Sequence, residues 1–209
     1  MNYSIGDFLI QYIVLLLSLT IHESAHAWMA DKMGDPTAKM LGRISLNPIV
    51  HIDIIGTVIL PILAALTGWA LIGWAKPVPV NPMNLKNPKK DDMLISALGP
   101  VSNLVLAVAF AIIFNIVRFV LPREGLFNPL YRFLLFGILI NIILALFNLI
   151  PVPPLDGSGI LMGLLSPSAA EKYEKIRPFG IIIVYILMYS GLFGAIIFPL
   201  SWFIFNILT

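Results

Sequence analysis

Hydrophobic residues along this chain come in long blocks rather than in an alternating or amphipathic pattern. The blocks run from about Phe8 to Ala30, Ile52 to about Ala75, Met93 to Leu121, Phe133 to Ile150 and Phe179 to Leu208. A helix that crosses a bilayer takes roughly 20 mostly apolar residues, so the blocks read as helical membrane segments. The last has 30 residues; at a rise of about 1.5 Å per residue it is either one long tilted helix or two shorter pieces. Gly191, Gly194 and Pro199 mark places for a break. The connections are polar. Gly34-Asp35-Pro36 and Asn47-Pro48 are turn signals, and Ser166 to Pro178 is a charged connector. Lys76 to Asp92 reads KPVPVNPMNLKNPKKDD; its prolines forbid a continuous helix and suit an extended segment or edge strand near 76–82. The expected fold is an all-α polytopic membrane protein of about 5–6 hydrophobic segments, with one short extended or β element. The whole of 1–209 is expected to form one membrane-embedded domain, with its core motifs at about 20–165 and membrane segments at 179–208.

Composition removes the soluble alternatives. Of the 209 residues 59% are hydrophobic and 11% charged, and the mean hydropathy is +0.94. Soluble domains are about 45–50% apolar and about 25% charged. A net charge of +2 offers no basic surface for nucleic acid. There are no cysteines, so any metal must be held by His, Asp or Glu. Met1 to Asp7 carries no Lys or Arg and lacks the basic start of a signal peptide, so the first apolar segment is expected to stay in the mature protein.

Ionisable groups at membrane depth are costly and mark function by default. Glu23, Asp53 and Asp156 lie inside or at the edge of apolar blocks, and so do all three histidines, His22, His26 and His51. His22-Glu23-Ser24-Ala25-His26 is an H-E-x-x-H on an apolar helix. Positions i and i+4 stack on one helix face, so the two imidazoles can share a metal while the glutamate reaches a water that the metal activates. The competing reading is a polar patch for helix packing, or a proton path. Catalytic zinc usually takes three protein ligands. His51 and Asp53 are nearer in sequence, but Asp156 has the better setting. It follows Pro151-Val152-Pro153-Pro154-Leu155, which ends a helix, and precedes Gly157, which permits a tight turn. Irregular backbone at this depth is tolerated only where protein buries it or it lines a cavity. The alternative for Asp156 is the cap of a short helix from Gly157 to Leu165, and Asp53 likewise reads as a cap of the second segment.

HESAH on the first helix, Gly99-Pro100-Val101-Ser102-Asn103 on the third and NLIPVPPLDG from Asn148 to Gly157 together resemble the site-2 protease family of intramembrane zinc metalloproteases. The stretches GDPTAKMLGRISLNPIVHID and GWAKPVPVNP are similar to its compact prokaryotic branch, without PDZ or CBS domains. The resemblance covers about residues 20–165. It implies one zinc ion on His22, His26 and Asp156, with Glu23 as general base and Asn103 as a donor near the scissile carbonyl. It also implies a transmembrane protein as substrate. Read from the residues alone, Asn103 suits an interhelical hydrogen bond beside a small Gly-Pro face. Asn148 reads equally as a hydrogen-bonding group beside the ligand or as helix packing. His51 reads as a group behind the metal ligands or touching substrate, or as an interfacial histidine. Lys76 to Asn81, including Pro79 and Val80, offers an edge with which an unwound substrate can pair, although its prolines limit the donors.

A parity argument predicts topology. His22 and His26 sit near the end of the first segment, and Asp156 sits just past the end of the fourth. These ends share a side only if one segment between them does not cross, and the second, with Pro61, Gly68 and Gly73, is the candidate to enter the membrane and return. That arrangement puts 10 of the 13 Lys and Arg on the active-site side and leaves Arg118, Arg123 and Arg132 opposite. By the positive-inside tendency the site then faces the cytoplasm, and the resemblance to a prokaryotic branch implies the cell membrane of a prokaryote. Two other classes remain open on the residues: a transporter of metal ions or protons lined by the same His, Glu and Asp groups, and an inactive scaffold that binds membrane helices.

Overall fold

A computed structural model describes residues 5–67, 73–120 and 128–209. Helix α1 spans Ile5–Met33, and a short α2 spans Thr37–Met40. The second apolar segment enters through a 3₁₀ turn, Pro48–His51, and a π-helical turn, Ile54–Ile59, that runs into α3, Leu60–Thr67. Helix α4 covers Pro88–Val120 and α5 covers Pro129–Asn148. The chain ends in α6 (Asp156–Leu164), α7 (Pro167–Glu174), α8 (Gly180–Tyr189) and α9 (Leu192–Leu208). Among the described residues α1, α4 and α5 are each long and apolar enough to cross a membrane. The C-terminal helices add a fourth such path, bent by 74°. The chain is an integral membrane protein.

Local chemistry sets the boundaries. Helix α1 stops at Gly34, whose φ of +110° is left-handed and unfavourable for residues with a Cβ. Helix α5 starts where the Asn128 side chain accepts the Leu130 N–H and Pro129 takes the first helical position. Gly191, at φ +76°, supplies the break between α8 and α9, while Gly194 and Pro199 are carried inside α9.

Helix α4 lies against α1, α5 and α6. Its stripe Ala107, Phe110, Ala111, Phe114 interlocks with Tyr131, Leu134, Ile138 and Ile142 of α5. Lipid is as apolar as these side chains, so close packing rather than water exclusion holds membrane helices together. Gly137 shows this: a Cβ there would lie 2.6 Å from the Phe110 ring. The outward residues Ile112, Ile113, Ile116 and Phe119 are exposed.

The two flanks of the second apolar segment meet. The Lys76 N–H donates to the His51 carbonyl at 2.8 Å. Its helical part, Ile54–Thr67, has 14 residues, about 21 Å at 1.5 Å per residue, against roughly 30 Å of hydrocarbon. The outgoing and returning strands of chain pack through glycine: a Cβ on Gly73 would lie 2.5 Å from the Gly56 carbonyl oxygen. Gly68, which also pointed to a return, lies outside the described residues.

Of the two alternatives for the segment near 76–82, extended chain or β element, the second is overturned. Among the described residues there is no β-strand, and 74–81 forms no ladder. Pro77 and Pro79 have no N–H to give. The Lys76, Val78 and Asn81 amides are taken by the His51 carbonyl, the Glu23 carboxylate and the Asp35 carboxylate. The segment is held by side chains and single backbone contacts instead of a neighbouring strand.

Candidate metal centre

Helix α1 stacks His22 and His26 on one face, both buried, with their Nε2 atoms 3.0 Å apart. Asp156 arrives from the first residue of α6, after the proline turn has ended α5. Its carboxylate lies 3.1 Å from His22 Nε2 and 3.3 Å from His26 Nε2. One ligand atom from each of the three lies within 4.8 Å of the others. Asp156 is not a cap: α6 shows no side-chain cap hydrogen bond, and its preceding residue is Leu155.

The hydrogen bonds behind the imidazoles decide what faces this point. His26 Nδ1 lies 2.7 Å from the Ile95 carbonyl, which only accepts, so Nδ1 carries the proton. His22 Nδ1 lies 2.6 Å from Asn103 Oδ1, also an acceptor. With both Nδ1 atoms donating, the neutral rings turn their Nε2 lone pairs toward each other and toward a carboxylate. Asp156 Oδ2 is buried with no donor aimed at it. With the rings neutral, three electron-pair donors converge on one point, an arrangement that suits a cation. Two imidazoles and one carboxylate are a donor set zinc accepts.

One face of α4 builds the rear wall through positions 95, 99 and 103. Gly99 lets the backbone press on both rings; a Cβ there would lie 2.5 Å from His26 Cε1 and 2.6 Å from His22 Cε1. Pro100, inside α4, has no N–H to give the Ser96 carbonyl one turn earlier, while the neighbouring Ile95 carbonyl serves His26. Glu23, on the same helical turn as the histidines, accepts the Val78 N–H at 3.1 Å on Oε2.

The remaining expected site residues fall elsewhere. Asn103 is fully buried, with its Oδ1 at His22 Nδ1 and its Nδ2 donating to Asn141 Oδ1. His51 is buried; its Nε2 lies 2.9 Å from the Ser45 carbonyl, which also accepts from Ser24 at 2.5 Å. It braces the loop beside Glu23 and does not enter the cluster, and burial pushes its pKa down. Asp53 caps the π-helical turn, accepting from the Ile55 and Gly56 amides. Asn148 donates to the Leu144 carbonyl of its own helix. Pro79 and Val80 lie on the segment that crosses Glu23, and Val80 packs against Ala30, Leu85 and Ile95.

Sequence reasoning passed over Asn141, Ser18, Asp35 and the Val78 amide. Asn141 carried a usable signal, a lone amide in the apolar stretch 133–147. Asp35 is buried and binds the Thr37 amide and hydroxyl, the Asn84 amide group and the Asn81 N–H. It ties the turn after α1 to the end of the 74–81 segment.

A helical membrane protein with a buried His-His-Asp cluster beside a glutamate is the class these features define. The chain belongs to peptidase family M50, the site-2 protease family of zinc metalloproteases, whose family profile matches residues 10–128 and 123–190. It is 38% identical over 190 residues to the candidate zinc metalloprotease YwhC of Bacillus subtilis, covering 90% of this chain and 84% of that protein. It is 29% identical over 204 residues to the candidate zinc metalloprotease Rip2 of Mycolicibacterium smegmatis, covering 97% and 75%. A zinc metalloprotease of Methanocaldococcus jannaschii is 27% identical over 166 residues, covering 79% of this chain and 36% of that protein. No solved structure matches the chain.

Proposed function

We propose that this protein is an intramembrane endopeptidase that hydrolyses peptide bonds in or near transmembrane segments of other proteins. The observation that carries the reading is the convergence of His22 Nε2, His26 Nε2 and the Asp156 carboxylate, within 4.8 Å and beside Glu23, between membrane helices. These three residues would hold one zinc ion. Zinc, when bound, supplies a Lewis acid that polarises the scissile carbonyl and lowers the pKa of the attacking water.

The chain's own groups do the rest. Glu23 takes a proton from the attacking water and delivers it to the leaving amine. The Val78 N–H, 3.1 Å from Glu23 Oε2, holds the carboxylate in one orientation for both transfers. A helical substrate hides its peptide bonds in i to i−4 hydrogen bonds and must unwind before attack. The segment 76–81 lies beside Glu23, where an unwound stretch would enter. Its own amides at Lys76, Val78 and Asn81 are already engaged, so it guides substrate by shape and side-chain contact more than by strand pairing.

The site's orientation follows from charge. The meeting of Lys76 with His51 supports a second segment that returns to the side it left. Ten of the 13 Lys and Arg then share the side of the cluster, which by the positive-inside tendency is the cytoplasmic face of the cell membrane.

The test has two parts. Detergent-purified wild type should carry one zinc per chain, and His22→Ala and Asp156→Ala should each lose it. Membranes from cells expressing wild type should then contain shortened single-span proteins that are full length beside Glu23→Gln. Equal processing by Glu23→Gln, with its zinc retained, refutes the protease reading.

A further inference from the structure

Behind His22 runs a chain of buried polar groups that crosses three helices. Asn103 of α4 gives its Oδ1 to His22 Nδ1, and its Nδ2 donates to Asn141 Oδ1 of α5 at 2.8 Å and to the Ser18 carbonyl of α1 at 3.4 Å. Asn141 Nδ2 donates to the Gly137 carbonyl and to Ser18 Oγ, each at 2.8 Å. Ser18 Oγ in turn donates to the Val14 carbonyl at 2.8 Å. Ser18, Asn103 and Asn141 are all 0% exposed.

The direction of this chain is not free. A backbone carbonyl accepts and cannot donate. The Val14 carbonyl therefore makes Ser18 Oγ a donor outward and an acceptor toward Asn141. The Gly137 carbonyl requires the NH₂ end of Asn141, which leaves its oxygen facing Asn103. Asn103 must then turn its own NH₂ toward Asn141 and its oxygen toward His22. His22 is left with its proton on Nδ1 and its lone pair on Nε2, the atom 3.1 Å from Asp156. Reversing either amide would set NH₂ against NH₂ or oxygen against oxygen inside an apolar bundle. An unmatched buried polar pair loses its hydrogen bonds to water without replacing them.

We propose that Asn141 and Ser18 are positioning residues of the metal centre, acting on His22 through Asn103 and selecting the imidazole tautomer that binds a cation. The proposal rests on the metalloprotease reading above. It gives Asn103 the work of orienting a ligand from behind, and it extends the centre to two residues outside every motif. Groups that orient a metal-binding imidazole typically carry 10–100-fold in metal affinity.

The test measures zinc affinity of the full-length protein in detergent by competition with a chromogenic chelator, together with the visible spectrum of the cobalt(II) form. Asn141→Leu should weaken zinc binding by about 10–100-fold and shift the cobalt bands. Combining Asn141→Leu with Asn103→Leu should weaken it no further than Asn103→Leu alone, because Asn141 acts through Asn103. Ser18→Ala removes one acceptor and leaves little void. It should weaken zinc binding several-fold, and it decides the matter if Asn141→Leu does not accumulate. Wild-type affinity and spectrum in Asn141→Leu and Ser18→Ala, with only the melting temperature lowered, would mean that the network is packing alone and overturn the proposal. Additive losses in the double variant overturn the relay as well. His22→Ala separates the two levels. If it loses zinc while the relay variants keep it, only the relay is wrong. If it keeps zinc like wild type, the metal centre itself is wrong.

Discussion

Replacing Gly99 by alanine adds one methyl group at the tightest point behind the metal centre. The new Cβ would lie 2.5 Å from His26 Cε1 and 2.6 Å from His22 Cε1, with His26 Nε2 in contact as well. Ordinary contact begins near 3.4 Å, so the rings or the α4 backbone must give by about 0.9 Å, whereas ligand distances are held within about 0.2 Å in a working site. His26 cannot retreat freely, because its Nδ1 is bonded at 2.7 Å to the Ile95 carbonyl of the same helix. Overpacking of this kind costs about 1–3 kcal/mol, while alanine regains about 1 kcal/mol of helix propensity over glycine. Overall stability should therefore fall by only about 0–2 kcal/mol. The metal-binding geometry takes the larger loss: zinc affinity should drop at least about 10–100-fold, and turnover by about 100-fold for a displacement near 1 Å. Chelator competition on the purified variant, beside its thermal melt, measures both quantities. Wild-type zinc affinity in Gly99→Ala would refute the claim that α4 sets the spacing of the two imidazoles.

Other outcomes follow from single contacts. Val78→Pro deletes the N–H held by Glu23 in a backbone already flanked by Pro77 and Pro79; loss of a bond to a charged acceptor is worth about 1.5–3 kcal/mol. The variant should therefore keep its zinc while kcat falls roughly 10–100-fold, and an unchanged kcat contradicts the orienting role. For Asp35, burial pushes the carboxyl pKa up, but the Thr37, Asn84 and Asn81 donors outweigh it and hold the group below its ordinary value of 3.8. Its ionised form thus stabilises the fold fully above pH 3.8, and this contribution is lost as the pH falls through the lower native value. Asp35→Asn should be less stable than wild type by about 1–3 kcal/mol at pH 7, and the gap should narrow below pH 3.8; melts that show a gap independent of pH refute this. Glu23→Gln should keep zinc and lose cleavage, as tested above.

Some of the centre could be read directly because helix geometry is local. Two residues four apart on an apolar helix share a face whatever the rest of the chain does, so His22 and His26 were paired before any tertiary contact was known. The proline turn before Asp156 likewise ends α5 by covalent constraint. The parity of the segments leads to the expectation that the second returns; the structure adds that Lys76 meets His51.

Other roles depended on partners far away in sequence. Asn103 looked the same as a substrate donor or a packing residue until its partners appeared 81 residues back, at His22, and 38 residues on, at Asn141. The segment 76–82 has the composition of an edge strand, but a strand needs a neighbour, and its amides went to His51, Glu23 and Asp35 instead. The partner of His51, the Ser45 carbonyl, likewise became visible only once the loop had folded over it. Hydrophobic blocks and the i, i+4 spacing determined that this is a helical membrane protein with two histidines on one helix face, because burial preference and helical rise act residue by residue. Which partners His22, Asn103 and Asn141 meet was decided only by the packing of α1, α4 and α5, because a buried polar group takes its direction from the one partner within reach.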